Sequence, residues 1–191
     1  ANDQDGPVTF PKKDIFLSGL KDIKKKLREE YRRRRDSFVG QLDGASRNLS
    51  FRRPPSPLAR LFHQGQSVAL YRSIGSEAPT ERLIEYLTEI GVNIALPRVR
   101  DDGSLEFRRI SNLELLESGF RNIPEPGETC ELTDPDVIIA PLVAFDRSMR
   151  RLGQGGGYYD RSFANYPDVP RIGLAWSVQE ADEIPVEPHD L

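Results

Sequence analysis

The stretch SVALYRSIGSEAPTERLIEYLTEIGVNIAL, residues 67–96, decides the class of fold. Ser67 to Tyr71 is a short apolar run of the kind that forms a buried strand. Thr80 to Ile90 then sets Leu83, Ile84, Leu87 and Ile90 on one face of a helix, and Val92 to Leu96 returns to a strand pattern. Strand, helix and strand in that order make a β-α-β unit, whose two strands lie parallel because a crossover joins them.

The same rhythm continues outward from this unit. Downstream, Leu105 to Ile110 reads as a strand opened by the turn at Asp102-Gly103, and Leu113 to Ser118 as a short helix before the loop holding Pro124, Pro126 and Gly127. Asp136 to Leu142 (DVIIAPL) is the most apolar strand, Gly157 to Asn165 a helix, and Arg171 to Ala175 a further strand. Upstream, Phe16, Leu20, Ile23, Leu27 and Tyr31 recur every three or four residues from Asp14 on, which predicts a long helix with one apolar stripe inward and Lys and Arg over the rest. Pro54, Pro55 and Pro57 end any helix before them, and a short helical piece follows around Leu58 to His63. The expected fold is α/β: a three-layer, mostly parallel open sheet with helices on both faces, Rossmann-like in layout. Residues 1–13 read as a loose leader and 14–191 as a single domain opened by a basic helix.

Composition narrows the function. The 191 residues are 37% hydrophobic and 30% charged, too apolar and varied for a disordered or collagen-like chain. No apolar run approaches the roughly 20 residues that cross a bilayer, so a cytoplasmic protein with no membrane partner is expected. A single Cys130, with His63 and His189, excludes a disulfide scaffold and a structural zinc module. The net charge of −3 hides an asymmetry: residues 21–60 hold 13 Lys and Arg against 5 Asp and Glu, and residues 61–191 hold 12 against 22. Such a basic segment suits nucleic acid, an anionic surface, or the wall of a site for a polyanionic small molecule.

The chemistry gathers in Asp136 to Arg161, DVIIAPLVAFDRSMRRLGQGGGYYDR. A buried strand leads through a charged turn into Gly153, Gly155, Gly156 and Gly157 and then a helix. Ligands of open α/β sheets bind beyond the carboxyl ends of strands, and a glycine-rich turn lets backbone N–H groups approach phosphate oxygens. Neither familiar phosphate motif fits. A P-loop would need Gly-Lys-Ser/Thr, and a dinucleotide fingerprint would need glycine where Tyr158 stands.

LGQGGGYYDR together with PDVIIAPLVAFD, Pro135 to Asp146, resembles the signature region of the 5-formyltetrahydrofolate cyclo-ligase family. Further segments resemble the family in order: Lys24-Lys25-Lys26-Leu27-Arg28, Tyr71 to Thr80 with Glu77, VNIALPR at 92–98, Leu105 to Arg108, IPEP at 123–126, and Gly173 to Ala175 with Gln179, Pro185 and His189-Asp190. The resemblance spans about residues 21–191. It does not extend to Arg47–Arg60, and the family pattern continues past the His-Asp pair into a final strand, whereas this sequence stops at Leu191.

The resemblance implies an ATP- and Mg²⁺-dependent ligase that converts 5-formyltetrahydrofolate to 5,10-methenyltetrahydrofolate, ADP and phosphate through a phosphorylated formyl group. It places Lys24, Lys25 and Arg28 against ATP; Lys24 and Arg28 share a helical face, while Lys25 and Lys26 also suit a solvated surface. It puts Arg151, Leu152, Gly153, Gln154, Gly155, Gly156, Gly157, Tyr158 and Tyr159 around the nucleotide, with Arg151, Gln154 and Tyr158 at the chemistry. Arg72, Glu77 and the Gln154–Tyr158 stretch would face the folate, Glu77 accepting from the pterin's amino-pyrimidine edge or else serving only the helix start after Pro79. Asp160 and Asp190 would hold Mg²⁺, with Asp146 a lesser candidate. His63, His189, Met149 and Trp176 read as core or surface. The partners expected are ATP and the folate, with no nucleic acid and a monomeric state. The competing readings are an ATP-dependent enzyme acting on another amide or amine, and a nucleic-acid binder using residues 21–60.

Overall fold

The computed structural model describes residues 12–113 and 116–187, with side chains from residue 19 onward; the expected leader before residue 12, and His189 and Asp190, lie outside these. The chain opens with a long helix α1 (Lys12–Gly40), then short helices α2 (Gly44–Leu49) and α3 (Ser56–Ala59). Strand β1 (Ser67–Ala69), helix α4 (Glu81–Glu89) and strand β2 (Asn93–Val99) form the expected crossover unit, followed by β3 (Leu105–Ile110). A hairpin of β4 (Leu116–Ser118) and β5 (Pro124–Pro126), strand β6 (Val137–Pro141), a second hairpin of β7 (Ala144–Phe145) and β8 (Arg151–Leu152), helix α5 (Tyr158–Phe163) and β9 (Arg171–Leu174) complete the order.

The main sheet runs β3-β2-β1-β6-β9, with every pairing parallel except the antiparallel edge strand β3. Strand alternation divides the core between two faces. Val68, Leu70, Ile94, Leu96, Val137 and Ile139 point to the side where α4 delivers Leu83, Ile84 and Leu87. Ala69, Ala95, Ile138 and Ala140 point to the other, where small side chains let α5 bring Phe163 close and Phe107 fills the edge. A helix thus covers each face, as the apolar strands require. Each fully buried aliphatic side chain contributes about 1.5–3 kcal/mol, so these layers dominate the stability.

Three local expectations change. Leu116–Ser118, expected as the end of a short helix, is a strand that pairs antiparallel with Pro124–Pro126, where the buried Glu125 takes the Phe120 amide at 3.2 Å and closes a hairpin. A helical turn α2, capped by the Asp43 carboxylate on the Ser46 amide at 2.8 Å, stands ahead of the prolines. The inward stripe of α1 is not purely apolar. Ile23 is 52% exposed, while Lys24 and Arg35 are buried beside Tyr31 and Val39, because α1 spans both an apolar hairpin and a polar cavity. Leu27 and Tyr31 pack on Val143, Ala144, Leu152 and Ile184, and the cationic side of the helix is left to the cavity. Among the described residues no helix is long and apolar enough to cross a membrane.

Candidate active site

Strand order reverses between β1 and β6, since β1 leads to β2 on one side and β6 to β9 on the other. A crevice opens at such a switch point beyond the strands' carboxyl ends. Here it is a cavity of about 1140 Å³ reached by Tyr71 and Arg72 after β1, Pro97 and Val99 of β2, and Pro141 of β6. Helix α1 roofs it with Lys21, Lys24, Arg28, Arg32 and Arg35, one basic stripe at steps of three and four. Gly153 to Arg161 form the adjoining wall, and Phe120, Arg121, Ile123 and Pro124 of the first hairpin the opposite one.

Hydrogen bonds draw the α1 stripe onto the loops. Arg28 Nε donates to the Gly153 carbonyl at 2.9 Å, and Arg32 reaches Gln154 twice through Oε1, at 2.8 Å from Nη2 and 3.2 Å from Nε. Gln154 Nε2 in turn donates to Glu77 Oε1 at 3.0 Å. Lys24 Nζ meets Glu187 Oε2 at 2.7 Å in a pair that is 4% and 6% exposed. Arg35 Nε donates to Ser76 Oγ at 2.9 Å, and Ser76 Oγ also bonds Asp36.

The glycine loop takes its shape from two residues with left-handed backbone, Gly155 at φ +99 and Gly157 at φ +69. Gly157 is the N-cap of α5, and no side chain caps the first amides of that helix, which begins on the cavity wall. A Cβ on Gly157 would lie 2.7 Å from Arg161 Nη1. Arg161 staples the loop by donating to the carbonyls of Gly156 and Gly103, both at 2.9 Å. Tyr158 lies beneath that guanidinium at 5.3 Å and against Phe120 at 5.5 Å.

Arg151 projects from β8 to Asp160 Oδ1 at 2.6 Å and the Pro141 carbonyl at 3.2 Å, with its guanidinium 5.7 Å from the Tyr159 ring. Its enclosed Nε and the enclosed Tyr159 hydroxyl find no acceptor or donor among the described residues. Burial pushes the Tyr159 hydroxyl far above its ordinary value, the nearby Arg151 only partly offsetting it. Burial likewise raises the Glu77 carboxyl, against the Ile74 amide, Arg35 and Gln154, which favour its charged form.

The cavity brings together most of the residues singled out from sequence: Lys24, Arg28, Arg72, Glu77, Arg151, Leu152, Gly153 through Tyr159, and Asp160. Lys25 is exposed on the outer side of α1 and does not line it. Arg72 is already paired with Glu81 at 2.7 Å. Asp146 is turned inward, its carboxylate taking the amides of Ser148, Arg150 and Ile184 at 2.9, 3.1 and 2.8 Å, which leaves it shaping the hairpin. Trp176 is buried core, while His63 and Met149 are surface. Sequence reasoning missed Arg32, Arg35, Phe120 and Glu187. Continuing the Lys24–Arg28 spacing by four and three would have found the two arginines; nothing local marks the others.

Residues 21–191 match the 5-formyltetrahydrofolate cyclo-ligase family. The chain belongs to that family. It is 36% identical over 162 residues to the 5-formyltetrahydrofolate cyclo-ligase of Escherichia coli K12, covering 80% of this chain and 84% of the relative. It is 35% identical over 143 residues to the cyclo-ligase of Mycolicibacterium smegmatis, covering 70% and 74%. Its structure is similar to the 5,10-methenyltetrahydrofolate synthetase of Aquifex aeolicus, with a TM-score of 0.70, 27% identity, and 88% and 86% of the two chains covered. A synthetase from Mycoplasma pneumoniae, at 22% identity and a TM-score of 0.64, shares the fold. The chain is thus a cyclo-ligase by family, and the cavity lies at the family's signature loop.

The family resemblance implies magnesium. Among the described residues no three acidic, histidine or cysteine side chains cluster, so there is no all-protein cage. Asp160 faces the cavity and offers one carboxylate beside the glycine loop. That fits Mg²⁺, which is held by one or two carboxylates together with substrate phosphates.

Proposed function

We propose that the chain uses ATP to convert 5-formyltetrahydrofolate to 5,10-methenyltetrahydrofolate, releasing ADP and phosphate, as a cytoplasmic monomer. One observation carries the reading: a stripe of cations and a glycine loop share one cavity with a buried carboxylate, Glu77. Cations and amides suit a polyphosphate, and a buried carboxylate suits the donor edge of a pterin. The stripe is bonded to the loops from inside the cavity, which favours a small polyanion over nucleic acid.

In this reading Lys24, Arg28 and the amides of Gly153 to Gly157 bind the triphosphate. Lys24 pairs with Glu187 in the cavity wall, which holds its ammonium beside the glycine loop. Arg151 and Gln154 stand where the γ-phosphate meets the formyl group, Arg151 stabilising charge on the transferring phosphoryl. Tyr158 closes the pocket over the reacting atoms, and Arg72 and Glu77 orient the folate. Asp160, with Asp190, would hold Mg²⁺, which supplies neutralising charge for the phosphates when bound.

The formyl oxygen displaces ADP from the γ-phosphorus and forms an O-phosphorylated iminium. N10 attacks the former formyl carbon and loses its proton. The C–O bond then breaks, and phosphate leaves with the formyl oxygen. Such transfer needs alignment and charge stabilisation more than covalent help from the protein. The test is to mix protein, Mg-ATP and folate labelled with heavy oxygen in the formyl group, following methenyl absorbance and the phosphate released. One labelled oxygen per phosphate is expected. Absence of the chromophore would reject the activity, and unlabelled phosphate would reject the intermediate.

A further inference from the structure

Arg35 lies seven residues beyond Arg28 on the same helical face, beyond the positions that the family resemblance marks. It is 7% exposed and lines the cavity. Nε is spent on Ser76 Oγ at 2.9 Å, while the enclosed Nη1 meets no acceptor among the described residues. An enclosed guanidinium with an unspent donor is costly, and in a cavity wall a ligand acceptor would relieve that cost. The neighbour of Ser76 is Glu77, 6% exposed on the same wall. Among the described residues each Glu77 oxygen has one donor, Gln154 Nε2 on Oε1 at 3.0 Å and the Ile74 amide on Oε2 at 3.1 Å. A carboxylate oxygen accepts two hydrogen bonds, so each has one site left.

The wall thus presents two spare acceptors and, next to them, one spare cationic donor. The amino-pyrimidine edge of a pterin carries the complement in the same order: the 2-amino group and N3–H donate, and the 4-oxo group accepts. The Watson–Crick edge of adenine does not, since N1 accepts where this pattern needs a donor.

The geometry points to Arg35 as a substrate-binding residue that takes the pterin 4-oxo group through Nη1, while Glu77 takes the two donors, so that the pair selects folate over the nucleotide base at this wall. The inference rests on the folate reading above. Ser76 is the positioning residue: it holds Nε of a guanidinium that lines the cavity beside Glu77.

Binding of 5-formyltetrahydrofolate and of Mg-ATP, each alone, is measured by calorimetry for the unmodified chain, Arg35→Gln and Ser76→Ala, with thermal melts as a check on folding. Loss of a hydrogen bond to a charged donor should weaken folate binding about tenfold or more in Arg35→Gln while ATP binding changes less than about threefold. Ser76→Ala, which keeps the guanidinium but frees it, should weaken folate binding by a smaller factor and leave ATP unchanged. Unchanged folate affinity in a folded Arg35→Gln, or equal losses for both ligands, overturns the assignment. Should Arg35→Gln not fold, Ser76→Ala decides alone: an ATP loss equal to the folate loss, or no folate loss, overturns it. If the unmodified chain binds no folate, the functional reading itself has failed, an outcome separate from loss of the Arg35 effect.

Discussion

Replacing Gly157 by alanine tests whether the glycine loop is held by backbone geometry. Gly157 sits at φ 69 and ψ 9, and an L side chain there costs about 1–2 kcal/mol. The new Cβ would also lie 2.7 Å from Arg161 Nη1. Because Arg161 is exposed it can move, at the expense of its bonds to the Gly103 and Gly156 carbonyls, worth about 1 kcal/mol together after allowance for solvent. The whole effect is about 2–3 kcal/mol, and in a domain of this size that lowers Tm by about 4–12 °C. Scanning calorimetry of Gly157→Ala and Arg161→Ala separates the parts: Arg161→Ala should lose only the smaller share. Turnover of Gly157→Ala should fall more than its stability implies, since Gly157 and the residues that follow it line the cavity. A Tm within about 1 °C of the parent with full turnover would refute the argument, because it would mean an L residue takes this turn without strain.

Lys24→Met removes the ammonium paired with the buried Glu187 carboxylate and should cost about 3–5 kcal/mol, read from urea unfolding, with partial recovery on adding Glu187→Gln. Its KM for ATP should rise far more than its KM for the folate; equal rises would make Lys24 a docking residue only. Burial raises the hydroxyls of both Tyr71 and Tyr159, so their folded values exceed the unfolded value of about 10. The stability tied to their neutral forms is therefore full below about pH 10 and is lost as pH climbs through the folded values. Tyr159→Phe should flatten the fall in unfolding free energy above that pH, and an unchanged slope would place the alkaline loss elsewhere. Trp176→Phe keeps the aromatic cluster with Phe38 and Phe51 but deletes the indole N–H bond to the Ser76 carbonyl at 3.0 Å. A loss of about 1 kcal/mol is expected from thermal melts, with the folate KM raised more than the ATP KM, because Ser76 adjoins Glu77.

What the sequence determined by itself was whatever neighbours in the chain decide. The crossover unit at 67–96, the apolar strand at 137–141, the glycine turn into α5 and the helicity of α1 all follow from periods of two and 3.6 residues and from glycine's freedom at positive φ, and each appears within a few residues of its expected place. Gly153 to Gly157 stood out for the same reason, since their local pattern is unusual, and they line the cavity, whereas Glu77 was marked only by the family resemblance. The rotation of α1 about its axis was not legible. Ile23 and Lys24 are adjacent, yet one is exposed and the other buried, because Glu187, 163 residues away, supplies the partner that makes burial of an ammonium tolerable. The strand pairing of 116–118 with 124–126 was likewise not legible, because the hairpin is closed by Glu125 on the Phe120 amide. Arg32 joins the site through Gln154, 122 residues downstream, and Arg35 through Ser76, 41 downstream. Desolvation and pairing of charge depend on which surfaces meet, and no window of sequence contains both partners; the tertiary structure alone decided which cations of the basic helix face the cavity.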